Sequence, residues 1–240
     1  MRLFFFCLLH LVATGASYAQ GPKVYAFLPS NIRPHAMQGL ISREAPGIDI
    51  TFFGRYREFE VQLKQSQPDA IVTFRMVGEN LAKASKNPLA PLLIGKREGE
   101  TSEKFILLAV GKKIDLGQIE NIGIGVVSLM GRRQMAHFLA TEFKVGKIRI
   151  KTVTKLEDLL SLLQFQDVDA ILVPESQLSY YNERSKLNLV ATELDGITLA
   201  LPVVFKITED PNKIQQLEKA FQGLEPKIKG LLGVDQWIQP

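Results

Sequence analysis

The chain has 240 residues, a formal net charge of +4 at pH 7 and a single cysteine. The mild positive charge is not gathered in a dense basic tract, which argues against nucleic acid as a partner. Because the one cysteine is Cys7, the chain beyond its first twenty residues excludes disulfides, cysteine metal clusters and thiol nucleophiles.

The amino terminus has the pattern of a secretory signal peptide. Arg2 supplies the positive start, residues 3–12 form an apolar run, and small residues at Ser17 and Ala19 precede a cleavage site after Ala19. The apolar run is too short to span a membrane, and Cys7 lies too far from the cleavage site for a lipoprotein anchor. Loss of Arg2 lowers the net charge from +4 to +3. We expect an exported, periplasmic protein of about 220 residues, enough for one large or two small domains.

The rest of the chain resembles itself at a spacing of 98 to 100 residues. "GPKVYAFLPSN" (21–31) matches "ENIGIGVVSLM" (120–130), with Ser30 against Ser128. In the same order, "GIDITFFG" (47–54) matches "GKIRIKTV" (146–153), and "PDAIVTF" (68–74) matches "VDAILVP" (168–174). Each half predicts strand, helix, strand, helix, strand, which is typical of a parallel sheet with helices on both faces. The sequence therefore predicts an α/β fold of two similar lobes, each with a mostly parallel sheet.

Two strand-like segments lie outside the repeat, at 104–113 and 197–207, and predict a two-stranded hinge between the lobes. The last segment is helical, with Asp210 as its N-cap, Pro211 as its first residue and an apolar stripe through Ile214, Leu217 and Phe221. We expect this helix to pack on the first lobe. The predicted division is 1–19 signal peptide, 20–107 first lobe with 199–240 returning to it, and 108–198 second lobe.

This arrangement resembles the type II periplasmic binding proteins, and within them the phosphate, phosphite and phosphonate binders of ABC importers. The resemblance implies a ligand held between two lobes that close on it. In the phosphonate-type branch the second lobe opens with a strand that runs into a hydroxyl-rich turn at a helix start. The matching turn here is residues 127–132, in which Ser128 supplies the hydroxyl.

The glycines of "IGIGVV" predict close backbone packing and not a dinucleotide site. Gly123 and Gly125 fall inside the apolar run of a strand, whereas the dinucleotide fingerprint needs them in the turn that follows. The third glycine of that fingerprint is replaced by Ser128.

The turn after this strand is the stronger candidate for a site. Open α/β sheets bind ligands at the carboxyl ends of their strands, and the unpaired N–H groups of a helix start favour an anion. Ser128 could add a hydroxyl donor and Arg132 a two-pronged contact, and Gly131 of the same turn is a further candidate for ligand contact. Alternatively, Ser128 caps the helix, and Arg132 and its neighbour Arg133 point to water.

The other strand ends supply the remaining candidates. They are Ser30 and Asn31 after the first strand, Arg55 after the second, Thr73 and Arg75 at the third, and Glu175 at the end of the last strand in the second lobe. Each candidate also has a simpler alternative role. Ser30 and Asn31 could be turn or cap residues, Arg55 could be solvated, Thr73 could be a buried residue that ends a strand, and Glu175 could cap a surface helix. Several arginines near a hydrogen-bonding turn favour a small ligand that carries a carboxylate, phosphate or phosphonate.

The sequence predicts a binding protein and not an enzyme. Beyond the signal peptide the histidines are His35 and His137, and neither zinc-protease nor nucleophile-elbow motifs occur. We therefore expect no cofactor and no metal. One hypothesis is a monomeric solute-binding protein that serves an inner-membrane ABC permease. The other is a periplasmic sensory module that presents its ligand state to a signalling partner, or a pair of lobes that no longer binds a solute.

Overall fold

The computed structural model describes residues 21–30, 32–84 and 89–240, so the predicted signal peptide and Asn31 lie outside the described residues. The strands of the first sheet are β1 (Lys23–Phe27), β2 (Asp49–Phe52), β3 (Ala70–Phe74), β4 (Ala90–Lys96), β10 (Pro202–Lys206) and β11 (Gln236–Ile238). The strands of the second sheet are β5 (Ser102–Val110), β6 (Gly123–Val127), β7 (Arg149–Val153), β8 (Ala170–Pro174) and β9 (Leu189–Ala200).

Eight α-helices are described within these ranges. They are α1 (Pro34–Glu44), α2 (Tyr56–Gln65), α3 (Arg75–Ala84), α4 (Arg132–Glu142), α5 (Asp158–Gln164), α6 (Leu178–Arg184), α7 (Pro211–Gly223) and α8 (Pro226–Leu231). Short 3₁₀ turns occupy Leu116–Asn121 and Glu175–Gln177. None of these helices is long and apolar enough to cross a membrane.

Both sheets are mixed, and each contains the predicted three-stranded parallel unit. The first sheet has the order β11-β4-β10-β3-β1-β2, and the second has β7-β6-β8-β5-β9. β1 is parallel to β2 and β3, and β6 is parallel to β7 and β8. The remaining strands pair antiparallel. The prediction of two α/β lobes is confirmed, but the sheets are less parallel than expected, because β10 and β11 in the first sheet and β5 in the second run opposite to the parallel strands.

The repeat is regular at 100 residues throughout the parallel units. Lys23 pairs with Asp49 in the first sheet, and Gly123 pairs with Arg149 in the second. Asp69 Oδ2 accepts from the Lys23 N–H at 2.8 Å, and Asp169 Oδ2 accepts from the Gly123 N–H at 2.6 Å. Ser30 and Ser128 therefore do not occupy equivalent places, because their spacing is two residues short of the repeat.

The chain passes between the sheets along two neighbouring segments. β4 leads through a tight turn at residues 97–100 into β5, and β9 leads through Leu201 into β10. The Leu201 N–H donates to the Thr101 carbonyl at 2.9 Å, which joins the two crossings. The expected two-stranded hinge is thus present, but its first crossing precedes the segment 104–113, which lies within the second sheet and its following loop. The predicted boundary between 107 and 108 falls inside β5, and the exact division of the lobes stays a prediction.

Buried side chains form two apolar clusters. One lies on one face of the first sheet and includes Val24, Ile41 and Phe221. The other runs from the opposite face of that sheet, at Tyr25 and Phe27, into the interior of the second sheet. Alternate residues of β1 supply the two faces, as a strand requires. The two lobes are therefore in apolar contact with each other.

The carboxyl-terminal helix α7 packs against the first sheet. The Asp210 side chain accepts from the Asn212 N–H at 2.9 Å, which caps α7. Phe221 on α7 packs against Trp237 of β11, with ring centroids 5.7 Å apart. The helical segment is divided in two, because Pro226 starts the new helix α8.

Candidate functional site

A cavity of about 240 Å³ lies between the two sheets. Most of its wall is apolar, with contributions from Leu28, Phe74, Phe105, Val126, Leu129, Met135, Leu156, Leu172, Leu199 and Leu201. The polar side chains on its wall are those of Ser30, Arg97, Glu103, Ser176 and Gln177. Both sheets contribute, so movement of one relative to the other would change the shape of the cavity.

The cavity forms where parallel strands end. β1 runs into Leu28 and Ser30, β3 ends at Phe74, and β6 runs into the loop that carries Leu129. β8 runs into Pro174 and Ser176. Carboxyl ends of parallel strands are the usual ligand edge of an open α/β sheet. The cavity therefore lies at the edge where the sequence predicts a site, although most of its lining differs from the predicted residues.

The charged part of the wall is a hydrogen-bonded network at the hinge. Arg97 Nη1 and Glu103 Oε2 are 3.0 Å apart, and their side chains are 26% and 17% exposed. The Ser176 hydroxyl donates to the same carboxylate oxygen at 2.7 Å. Arg97 and Glu103 were not predicted as site residues, whereas Ser176 directly follows the predicted Glu175. The charged run "KREGETSEK" at 96–104 was the available signal, but it lies outside the repeat and has no motif.

Ser30 is the predicted residue that the structure places on the cavity wall. Its hydroxyl accepts from the Ile32 N–H at 3.0 Å and donates to the Ile32 carbonyl at 3.2 Å. The hydroxyl therefore also stabilises its own turn, which was the alternative role. Asn31 cannot be placed, since it lies outside the described residues.

The other candidates of the first lobe are not on this wall. Arg55 is exposed and lies 3.8 Å from Glu58, and Arg75 lies 3.6 Å from Glu79 on its own helix. Thr73 is fully buried, and its hydroxyl donates to the Phe27 carbonyl at 2.9 Å. A ligand role for these three residues stays a prediction.

The candidates of the second lobe surround the cavity without lining it. The Ser128 N–H donates to the Val153 carbonyl at 2.8 Å, and Gly131, with φ of 80°, is the N-cap of α4. Arg132 reaches the outer edge of the sheet, where its Nη2 lies 3.5 Å from the Ile150 carbonyl. Glu175 is exposed, one residue before the cavity-lining Ser176. Ligand binding by these residues also stays a prediction.

A wider opening of about 640 Å³ lies between α3 and α4. Met76 and Glu79 face it from the first lobe, and Arg133, His137 and Phe138 face it from the second. This opening carries charge of both signs, whereas the inner cavity is mainly apolar. Across residues 21–30, 32–84 and 89–240, no group of three or more His, Cys, Asp or Glu side chains could hold a metal ion.

Comparison with solved structures identifies the architecture. No protein-family model matches the chain, and no curated protein is detectably similar to it in sequence. PhnD1 from Prochlorococcus marinus, solved with methylphosphonate, is 13% identical with a TM-score of 0.64, over 92% of this chain and 93% of that one. The periplasmic VFT2 domain of BvgS from Bordetella pertussis is 14% identical with a TM-score of 0.55, over 88% and 92%. The GluR0 ligand-binding core with L-glutamate is 16% identical with a TM-score of 0.57, over 90% and 98%.

The chain has the type II periplasmic binding protein fold. At these identities the likeness establishes the architecture alone, and the site must be argued from the residues present.

Gly125 lies in a closely packed part of the second sheet. A Cβ there would lie 3.0 Å from both Ile171 Cγ2 and Leu162 Cδ1, which confirms that the glycine serves close packing.

Within this type II fold the cavity has the composition of a small-molecule site. Aliphatic and aromatic walls exclude water, and a few fixed polar groups can orient a ligand. Glu103 is held from two sides, by Arg97 and Ser176. A guanidinium has five N–H donors, so Arg97 can donate to Glu103 and to a ligand oxygen at the same time.

Proposed function

We propose that the chain is a periplasmic solute-binding protein that captures a small ligand between its two lobes. The observation that carries this proposal is the cavity of about 240 Å³ at the ends of β1, β3, β6 and β8. A site that both sheets line can couple ligand contact to the angle between the lobes. A ligand that contacts both lobes favours the closed state by its difference in affinity for the two states.

The ligand is a small anionic solute with an apolar body. The apolar part contacts Leu129, Leu172 and Leu199, and Arg97 donates hydrogen bonds to the carboxylate or phosphonate oxygen. Ser30 adds a hydroxyl to the cavity wall. A bare inorganic anion fits less well, because the aliphatic wall offers few donors to replace its hydration shell.

A membrane protein would then bind the closed form of the two lobes. The two crossings at residues 97–101 and 201 are the hinge about which the lobes close. We propose an inner-membrane ABC permease as the partner, so that the captured solute is imported. The methylphosphonate complex of PhnD1, which has the highest TM-score of the three structures compared above, supports this choice by analogy of fold.

Thermal unfolding of residues 20–240 against a solute panel tests the proposal. The panel contains short-chain and branched carboxylates, alkylphosphonates, amino acids, phosphate and sulfate, and the protein is first stripped of co-purified ligand. A ligand at a hundred times its Kd stabilises by about 2.7 kcal/mol, a shift of roughly 5 to 11 °C. We expect selective shifts from carboxylates or phosphonates with an apolar body. A panel without any shift would overturn the proposal.

A matched pair of variants assigns the shift to the cavity. Leu129→Trp adds volume to the wall and should abolish the ligand-induced shift, since Leu129 is buried and lines the cavity. Leu116→Trp makes the same change at a side chain that is 41% exposed and should keep it. A shift that both variants retain would place the ligand elsewhere.

A further inference from the structure

The outer edge of the second sheet carries a row of cations. Among the described strands, β7 is the last in the order β7-β6-β8-β5-β9, so one of its sides has no partner strand in the described residues. Arg149 and Lys151 on β7, and Lys147 two residues before it, are exposed, and they alternate with Ile148 and Ile150, which are 6% and 8% exposed. This alternation puts the cations on the solvent face and the isoleucines in the core.

A concavity of about 870 Å³ runs along this strand, between residues 147–152 and α4. Arg132 and Arg133 add two further positive charges from the helix side. Lys151 Nζ pairs with Asp167 Oδ1 at 2.7 Å. In the described part of the chain, the other four cations form no ion pair, so the surface keeps a net positive charge.

The strand also offers unpaired backbone groups. The Val153 carbonyl accepts from the Ser128 N–H at 2.8 Å, so the backbone of Val153 points into the sheet. Because successive residues of a strand alternate, the N–H and C=O groups of Ile150 and Thr152 point away from β6. At the edge, the Ile150 carbonyl has only a contact of 3.5 Å from Arg132 Nη2.

We propose that β7 docks an extended acidic segment of a partner protein as an added strand. Lysines on an edge strand discourage pairing with neutral or basic strands. The same charges favour a segment whose acidic side chains alternate, because each one then faces a cation while its backbone completes the ladder. The surface lies away from the solute cavity, so the interaction does not depend on the proposed solute binding.

The direct test is the affinity of a labelled peptide measured by fluorescence anisotropy. The probe is a peptide of about six residues, a typical strand length, in which glutamate alternates with threonine. We expect saturable binding that weakens with salt. The same peptide with N-methyl groups on the amides that face β7 keeps the charge but loses the backbone donors. It should bind about tenfold more weakly.

Protein variants separate the charge from the backbone. Lys147→Glu should weaken the peptide about fivefold or more, whereas the same change at exposed Lys227 on α8 should have little effect. Thr152→Pro removes one outward N–H without changing the charge, and it should also weaken binding of the peptide. Circular dichroism and thermal unfolding report whether each variant is folded.

Three results would overturn the proposal. Equal affinity for the N-methylated peptide would show attraction by charge alone, without an added strand. Equal losses in Lys147→Glu and Lys227→Glu would show that net charge, and not this surface, binds the probe. Sedimentation with vesicles that contain phosphatidylglycerol, without peptide binding, would assign the cations to a membrane surface.

Discussion

Arg97 and Glu103 form an ion pair across the first passage of the chain between the sheets, with Nη1 and Oε2 3.0 Å apart. Arg97 follows the last residue of β4 in the first sheet, and Glu103 lies in β5 of the second. Ser176, in the turn after β8, donates to the same carboxylate at 2.7 Å. The pair therefore bridges the first crossing and, at the same time, forms the charged wall of the cavity.

Loss of this pair should lower stability more than loss of an exposed pair. Glu103→Ala leaves a largely buried guanidinium without its anion, and we expect the free energy of unfolding to fall by about 1 to 3 kcal/mol. Urea unfolding measures it. The control is Glu58→Ala, whose partner Arg55 is 67% exposed, and its effect should stay within about 0.5 kcal/mol. Equal losses would show that the hinge pair has no special role.

The two repeated aspartates should both be structural, with unequal effects. Asp169→Ala removes the acceptor of the Gly123 N–H, for which we expect a loss of about 1 to 3 kcal/mol. Asp69→Ala should lose more, because Asp69 also pairs with Lys213 of α7 at 2.8 Å. Chemical unfolding of both variants gives the comparison. A smaller loss at Asp69 than at Asp169 would contradict this account.

Two glycine substitutions should change the stability of the protein in opposite directions. A Cβ at Gly95 would lie 2.7 Å from the Pro202 carbonyl and 2.4 Å from Val234 Cγ1, so Gly95→Ala should destabilise by about 1 to 3 kcal/mol. Gly39 is exposed within α1 and has no neighbour within 4 Å of such an atom. Gly39→Ala should therefore stabilise by roughly 0.5 to 1 kcal/mol. Thermal unfolding of the two variants measures both effects. A Gly95→Ala variant that is more stable than the wild type would contradict the close packing of Gly95 against Pro202 and Val234.

Neighbouring tyrosines on α6 should behave differently. The buried Tyr181 hydroxyl donates to the Leu156 carbonyl at 3.0 Å, so Tyr181→Phe should cost about 1 to 2 kcal/mol at neutral pH. The Tyr180 hydroxyl is buried without a partner among the described residues, so Tyr180→Phe should be neutral or slightly stabilising. Unfolding at pH 7 distinguishes them, and equal losses would contradict the assignment.

Tyr181 also predicts an alkaline loss of stability. Burial, and then the neighbouring Tyr180, raise the pKa of Tyr181 well above the 10.0 of an exposed tyrosine. Because the folded-state pKa is the higher one, this contribution is complete below pH 10 and is lost as the pH rises above it. The decline between neutral pH and pH 11 should be smaller in Tyr181→Phe than in the wild type. An identical decline would show that other groups cause it.

The fold could be predicted because its signals are local and occur twice. Short apolar runs and the Asp-Ala-Ile pattern before β3 and β8 mark the strands in both halves. The antiparallel pairings of β4, β5, β9 and β10 could not be predicted in the same way, because they depend on how the chain crosses between lobes. The short strand β11 was missed as well, since its three residues pair with the distant strand β4 and Trp237 packs on Phe221 of α7, and neither contact is local in the sequence.

The place of the candidate cavity was more predictable than the residues that line it. Strand ends fix the edge of the sheet, but a loop side chain can point in any direction that its own turn allows. Leu129 therefore lines the cavity, while its neighbour Ser128 does not, and Arg132 reaches the outer edge. Arg97 and Glu103 meet only when the hinge forms, so no pattern along the chain identifies them.

The most direct test of the central claim is a calorimetric titration with the solute that gives the largest thermal shift. Wild type and the Leu129→Trp variant are titrated under the same conditions. The account predicts binding at one site in the wild type and an affinity at least about tenfold lower in the variant, a difference of about 1.4 kcal/mol. Equal affinities in two folded proteins would contradict it, because the ligand would then lie outside the cavity between the lobes.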